Sequence, residues 1–273
     1  MPPPEKTFDT GEVMINYVED PVSGPPLLML HGLTSWWHSW DGIALNLAPG
    51  WHVARCDFRG HGKSGRVAGA YRIPDYARDI AAFLAGHFTE PVILVGHSLG
   101  AMTAIAVAAQ APERVRAIVP LDPPLFLRNS PLATVVGAQD WFSWVYETLK
   151  SSPTYEGTLA RCRAISPQAD EATINELADQ IHSIAIDTVG ITLQDQLLAG
   201  WDLEDALQKI TCPSLLIHGD WDHGAVVRDE DAAYVKAHLR DAVVVKMPTG
   251  SHAFPWEQTE AMMPHLLTFL RSV

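Results

Sequence analysis

Residues 91–111 read PVILVGHSLGAMTAIAVAAQA, and the reading of this stretch decides the fold. Its length approaches the roughly 20 residues of an apolar membrane span, but Gly96, His97, Ser98 and Gly100 interrupt it. The apolar run at 92–95 predicts a short strand covered on both faces, and the small residues of 98–110 predict a helix. Between them, Gly96-His97-Ser98-Leu99-Gly100 fits G-x-S-x-G. A sharp strand-to-helix turn is crowded and strained, so it needs glycine on either side. Such a turn lifts the Ser98 hydroxyl into a cleft, with a helix N-terminus behind it that favours developing negative charge.

Working outward, apolar runs bounded by Gly, Pro and Asp predict strands at 27–30 and 51–58, and the alternation of Val13, Ile15 and Tyr17 predicts one at 11–18. Tyr76, Ile80, Phe83, Leu84 and Phe88 recur at helical spacing over 74–88, and further strands are expected at 115–121, 214–218 and 242–247. This alternation predicts an α/β fold, a mostly parallel, doubly wound sheet with helices on both faces. The interval 123–205 has no strand-like run and reads as an inserted helical cap. Within it Ile174, Leu177, Ile181 and Ile184 form one stripe after Asp170, a candidate N-cap, while Asp202 is placed to cap a helix carrying Leu203, Ala206 and Leu207. The expected organisation is a core of 1–122 and 206–273 interrupted by that cap. Helices inserted at the carboxyl edge of a parallel sheet would lie where such sheets bind ligands.

The 273 residues carry 19 Lys plus Arg against 32 Asp plus Glu, a balance of −13 that argues against nucleic acid and anionic membrane surfaces as partners. With 47% hydrophobic residues and 9 Trp, the chain reads as globular. Within 123–205 there are 12 acidic and 4 basic residues, so most of the negative balance falls on the expected cap, which should disfavour polyanionic substrates. Cys56, Cys162 and Cys212 form neither a disulfide framework nor a CxxC pattern. The opening MPPPEKTFDTGEVMINY has no secretory-signal pattern, so a cytoplasmic location is expected.

A serine hydroxyl needs a base, and the base needs an orienting carboxylate. On the G-x-S-x-G turn and its surroundings the chain resembles the α/β-hydrolase family, specifically its capped members with a serine nucleophile, over nearly all of its length outside the insert. The resemblance implies Ser98 as nucleophile and His252, in Gly250-Ser251-His252 after the last predicted strand, as base. It aligns Asp222, at the end of the 214–218 strand, with the orienting acid. Asp220 stands beside it, and Asp122 is a rival because some members supply the acid after the preceding strand. The backbone amides of Leu99 and of Leu33, in a His31-Gly32-Leu33-Thr34 loop similar to the family's HG-x loop, are the expected oxyanion donors. Residues 57–64, DFRGHGKS, are similar to a structural loop of the family.

Two other patterns are set aside. Gly62-Lys63-Ser64 imitates the end of a phosphate-binding loop, but Asp57 stands where that loop needs glycine. His218-Gly-Asp220-Trp-Asp222-His223 departs at one ligand position from a binuclear zinc motif, and no metal site is expected. No GxGxxG follows a strand, so a dinucleotide cofactor is unsupported, and acyl transfer through a serine needs no metal or organic cofactor.

The expected reaction is hydrolysis, through an acyl-enzyme, of carboxylic esters of small to medium, neutral, partly apolar substrates; lactones and carbon–carbon bonds are alternatives served by the same residues, and a ligand receptor is the non-enzymatic one. The serine excludes the relatives that form an alkyl-enzyme on Asp. Aromatic residues near the oxyanion loop, Trp36, Trp37 and Trp40, and in the insert, Phe126, Trp141, Phe142, Trp144 and Tyr146, are candidates for the pocket wall; Trp36, Trp37, Phe126, Trp141 and Trp144 are taken as substrate-binding.

Overall fold

A computed structural model describes residues 3–21, 24–239 and 241–273. One sheet contains the strands β1 (Lys6–Asp9), β2 (Met14–Glu19), β3 (Pro26–Leu30), β4 (His52–Cys56), β5 (Val92–His97), β6 (Val115–Leu121), β7 (Ser214–His218) and β8 (Ala242–Lys246). Their spatial order is β1-β2-β4-β3-β5-β6-β7-β8. From β4 to β8 all pairs are parallel; β2 runs antiparallel to both neighbours. The expected strands are present, and β1 is an addition: four largely exposed residues, KTFD, too short and polar to show a pattern in the sequence.

The helices are α1 (Asp41–Leu47), α2 (Ile73–His87), α3 (Leu99–Gln110), α4 (Ala138–Ser151), α5 (Tyr155–Ile165), α6 (Glu171–His182), α7 (Ile186–Leu193), α8 (Leu203–Lys209), α9 (Asp229–His238), α10 (Phe254–Glu257) and α11 (Thr259–Leu270). Successive strand residues point to opposite faces. Leu28, Leu30, Leu94, Ile118 and Leu216 therefore pack with α2, α3, α8 and α9 on one side. Leu27, Met29, Ile93, Val95, Val119 and Ile217 pack with α1 and α11 on the other. No described helix is long and apolar enough to cross a membrane; residues 91–111 are instead the central strand, a tight turn and a helix buried from Leu99 to Ala108.

Five helices, α4 to α8, stand between β6 and β7. They carry small apolar clusters of their own, around Val145, Ile181 and Val189 and around Cys162, Ile174 and Ala178. Asp170 caps α6 by accepting from Thr173 N–H at 2.8 Å, and Asp202 caps α8 by accepting from Glu204 and Asp205 N–H. Leu203, Ala206 and Leu207 of α8 join the core cluster, so the helix that begins at 203 packs with the sheet layer.

The chain crosses the sheet between β3 and β5: β4 lies outside β3, and β5 returns to its other side. In an open α/β sheet the carboxyl ends on either side of such a reversal form the ligand crevice. The loops after β3 and β5 carry Gly32 and Ser98.

Candidate active site

Ser98 occupies φ 54°, ψ −113° between β5 and α3, a conformation that L-residues adopt only under constraint. The constraint is packing. A Cβ on Gly96 would come within 2.2 Å of the Gly100 carbonyl oxygen, and a Cβ on Gly100 within 2.1 Å of the Leu30 carbonyl oxygen, so the turn closes only with glycine at both places. The strand-turn-helix context expected for G-x-S-x-G is present.

Asp122, directly after β6, is a second non-glycine residue with positive φ, at 45°. Its side chain is fully buried, and Oδ2 lies 2.7 Å from Nδ1 of His252. Oδ1 accepts from Gly219 N–H at 3.2 Å, and Oδ2 also accepts from Val226 N–H at 2.9 Å. These bonds pin the carboxylate, and the Nδ1–H it receives leaves Nε2 of His252 open toward the cavity.

Asp222 is not the partner of His252. It is an exposed residue in a single 3-10 turn, Trp221–His223, whose amide is held by the side chain of Asp220. Asp220 itself caps that turn and pairs with His223 at 3.2 Å. The β7 loop thus holds the Asp220 carboxylate in a local turn and leaves Asp222 exposed, while the neighbouring strand β6 delivers Asp122 into the crevice. The rival named from the sequence holds the histidine.

Ser98 and His252 line a common cavity of about 480 Å³, whose wall also includes Gly32, Leu33 and His97. The Leu33 peptide is held from behind. His31, fully buried, accepts from Phe58 N–H at Nε2 (3.0 Å), so its Nδ1–H donates to the Gly32 carbonyl at 2.7 Å. In a trans peptide the N–H points opposite to the C=O, so fixing the Gly32 carbonyl aims the Leu33 N–H away from His31. Nε2 of His61 lies 2.5 Å from the Leu33 carbonyl and fixes the next peptide. Burial, with His61 nearby, holds His31 well below the usual imidazole range, so it serves as a neutral bracket. Leu99 N–H, at the first position of α3, has no intrahelical acceptor.

His97 donates from Nε2 to the backbone carbonyl of His252 at 2.9 Å, and its ring lies 4.8 Å from that of Trp256. Burial, with His252 alongside, keeps it well below the imidazole range. Trp256 in turn donates from Nε1 to the Ser39 carbonyl at 2.6 Å. The loop carrying His252 is therefore tied both to the Ser98 turn and to the segment after β3.

A second, smaller compartment of about 180 Å³ meets the first at Leu33, Ser98, Trp141, Phe142 and His252. Of the expected wall residues, Phe126 lines this inner compartment and Trp141 lines both. Trp144 does not reach either; it stacks behind Trp141 at 5.3 Å. Trp36 and Trp37 are also displaced from the wall. Trp37 is buried, its Nε1 donating to Glu5 at 3.3 Å and its ring 5.4 Å from the Arg55 guanidinium, and Trp36 packs against His38 at 4.7 Å. The helical turn Trp37–Trp40 directs these rings sideways into the protein, whereas Ser35, His38 and Ser39 face the cavity. Those three residues, with Glu176, Gln180 and Trp256, were not singled out from the sequence; for Trp256 the available signal was its place four residues after His252.

The α/β hydrolase fold family model matches residues 25–259. A pimeloyl-[acyl-carrier protein] methyl ester esterase of Nitrosomonas europaea is 31% identical over 250 residues, 87% of this chain and 92% of that protein. A 2-(acetamidomethylene)succinate hydrolase of Mesorhizobium japonicum is 32% identical over 150 residues, and the matched part spans only 54% of that protein. In fold, the chain is similar to the crystal structure of an N-formylmaleamic acid deformylase from Pseudomonas putida, with a TM-score of 0.79, 21% identity and coverage of 96% of this chain and 99% of that one. The chain therefore belongs to the α/β-hydrolase fold family and is a hydrolase.

Proposed function

We propose that the chain is a serine hydrolase that cleaves carboxylic esters of small to medium, neutral, partly apolar substrates through an acyl-enzyme. The observation that carries this reading is the 2.7 Å contact between Asp122 and Nδ1 of His252, in a cavity that His252 shares with the strained Ser98 turn. Ser98 Oγ attacks the ester carbonyl carbon while Nε2 of His252 takes its proton, and Asp122 stabilises the imidazolium. The oxyanion receives the amides of Leu33 and Leu99. The carbonyl re-forms, the C–O bond breaks, and the alcohol leaves with the proton from Nε2. Water then attacks the acyl carbon, giving its proton to Nε2, and the acid is released as Ser98 regains its hydrogen.

The helices of the insert act as a cap: Trp141 and Phe142 of α4 and Glu176 and Gln180 of α6 roof the cavity, and Trp141 Nε1 donates to Thr34 Oγ1 at 3.2 Å. Similarity to a methyl ester esterase supports ester cleavage. The test is labelling by an organophosphate combined with turnover of p-nitrophenyl butyrate. Stoichiometric labelling at Ser98 with steady turnover is expected, and both should vanish in Ser98→Ala. Labelling without turnover would indicate a receptor, and turnover that survives Ser98→Ala would remove the scheme.

A further inference from the structure

The two compartments that meet at Ser98 differ in chemistry. The larger, outer one presents Thr34, Ser35, His38 and Ser39 from the segment after β3, and Glu176 and Gln180 from α6. Ser35 and Ser39 hydroxyls lie 2.5 Å apart, and Gln180 Nε2 reaches Ser39 Oγ at 3.5 Å, so one polar network runs from core to insert. The smaller, inner one is walled by aliphatic and aromatic side chains, among them Phe126, Leu127, Leu132, Val135, Leu197 and Val226. Neither wall includes a lysine or arginine among the described residues.

An acyl-enzyme reaction fixes which half of the substrate belongs on which side. The leaving group departs first, and the water of the second half-reaction enters from the space it vacates, beside the His252 imidazole that activates it. That space must therefore be wettable. An apolar space of this size accommodates an apolar group, about 150 Å³ taking a benzene ring, and the smaller compartment opens to solvent beside Val136. The hydroxyl-lined outer compartment admits water, and the inner one holds the acyl group while water arrives. The outer wall also discriminates by charge. A carboxylate brought into a partly desolvated site needs a cationic partner, and among the described residues of this wall the acidic side chain is Glu176, with no lysine or arginine to offset it.

We infer that the outer compartment binds the leaving alcohol and selects a polar, non-anionic one, while the inner compartment binds a compact apolar acyl group. This rests on the acyl-enzyme reading above. It assigns the substrate class as an apolar acyl ester of a hydroxylated, amide-bearing or ammonium-bearing alcohol, and it excludes dicarboxylate substrates of the kind named for the succinate hydrolase relative.

Two isomers test the assignment: 2,3-dihydroxypropyl hexanoate, with its polar arm on the alcohol, and hexyl 2,3-dihydroxypropanoate, with the arms exchanged. The first is expected to have a kcat/KM at least about tenfold higher. Equal values, the reverse preference or no turnover of either isomer overturns the inference. Charge is tested with 3-(hexanoyloxy)propanamide and 3-(hexanoyloxy)propanoate. The amide should be preferred by about tenfold, and Glu176→Lys, at an exposed position on α6, should shrink or invert that ratio. A ratio unchanged by Glu176→Lys places the leaving group elsewhere. Turnover of either isomer that persists in Ser98→Ala would instead strike the acyl-enzyme reading, so the two failures are separable.

Discussion

Oδ2 of Asp122 lies 2.7 Å from Nδ1 of His252, across 130 residues of sequence, and the same carboxylate is held by the amides of Gly219 and Val226. Three contacts on a fully buried carboxylate define one tautomer and one ring orientation of His252. Asp122→Asn should lower kcat toward p-nitrophenyl butyrate by about 10³–10⁴-fold, because an amide can donate to Nδ1 and favour the wrong tautomer. Asp222→Asn, altering an exposed turn, should stay within about twofold of wild type. The reverse pattern in steady-state kinetics would return the role to Asp222.

The oxyanion loop can be perturbed without replacing a reacting group. A Cβ on Gly32 would lie 3.1 Å from Nδ1 of His97 and 3.5 Å from Cβ of Ser98, tight but not an outright overlap. Gly32→Ala should displace the Leu33 amide and cost about 10²–10³-fold in kcat, with KM and the thermal midpoint little changed. Wild-type kcat in this variant would show that the Leu33 N–H is not an oxyanion donor.

Arg59 and Asp79 form a bidentate pair, Nε to Oδ2 and a terminal nitrogen to Oδ1, both at 2.6 Å and with both side chains essentially inaccessible. The pair ties the loop after β4 to α2. Asp79→Asn leaves a buried guanidinium with only Glu12 as a carboxylate partner, and should destabilise the fold by about 3 kcal/mol in urea unfolding. A loss under about 1 kcal/mol would mean that Glu12 and water replace the lost charge.

Glu19, at the end of β2, contacts Lys6 of β1 at 2.6 Å, His52 of β4 at 3.0 Å and His87 of α2 at 2.9 Å. Burial pushes its carboxyl up, but hydrogen bonds from Lys6 and His87 outweigh this and hold it at about 2, against an ordinary value of 4.5. A depressed carboxyl stabilises the fold where it is ionised in both folded and unfolded chains. That contribution is complete above about pH 4.5 and disappears as pH falls toward 2. Glu19→Gln should lower Tm at pH 7 by roughly 2–5 °C, and the gap from wild type should close between pH 4.5 and 2. A gap constant over that range would contradict the depressed pKa.

The sequence by itself determined what depends on neighbours along the chain. The apolar run of β5, the small residues of α3 and the glycines at 96 and 100 impose the Ser98 turn, because no other residue fits those close approaches. Asp170 and Asp202 mark helix starts through bonds to amides two or three residues away. The tertiary structure decided everything that depends on reach. Asp122 and Asp222 follow adjacent strands, and the linear reading takes Asp222 as the acid with Asp122 as its rival, but the positive φ at Asp122 and the amides of Gly219 and Val226 send the Asp122 carboxylate to His252 while Asp222 stays on an exposed turn. Trp36, Trp37 and Trp144 are as aromatic as Trp141, yet the direction of a single helical turn and a stacking layer keep them from the cavity. The acidity of the insert was countable in the sequence; that Glu176 is the carboxylate it brings to the cavity wall follows from the packing of α6 over the crevice, a contact between segments that no local pattern encodes.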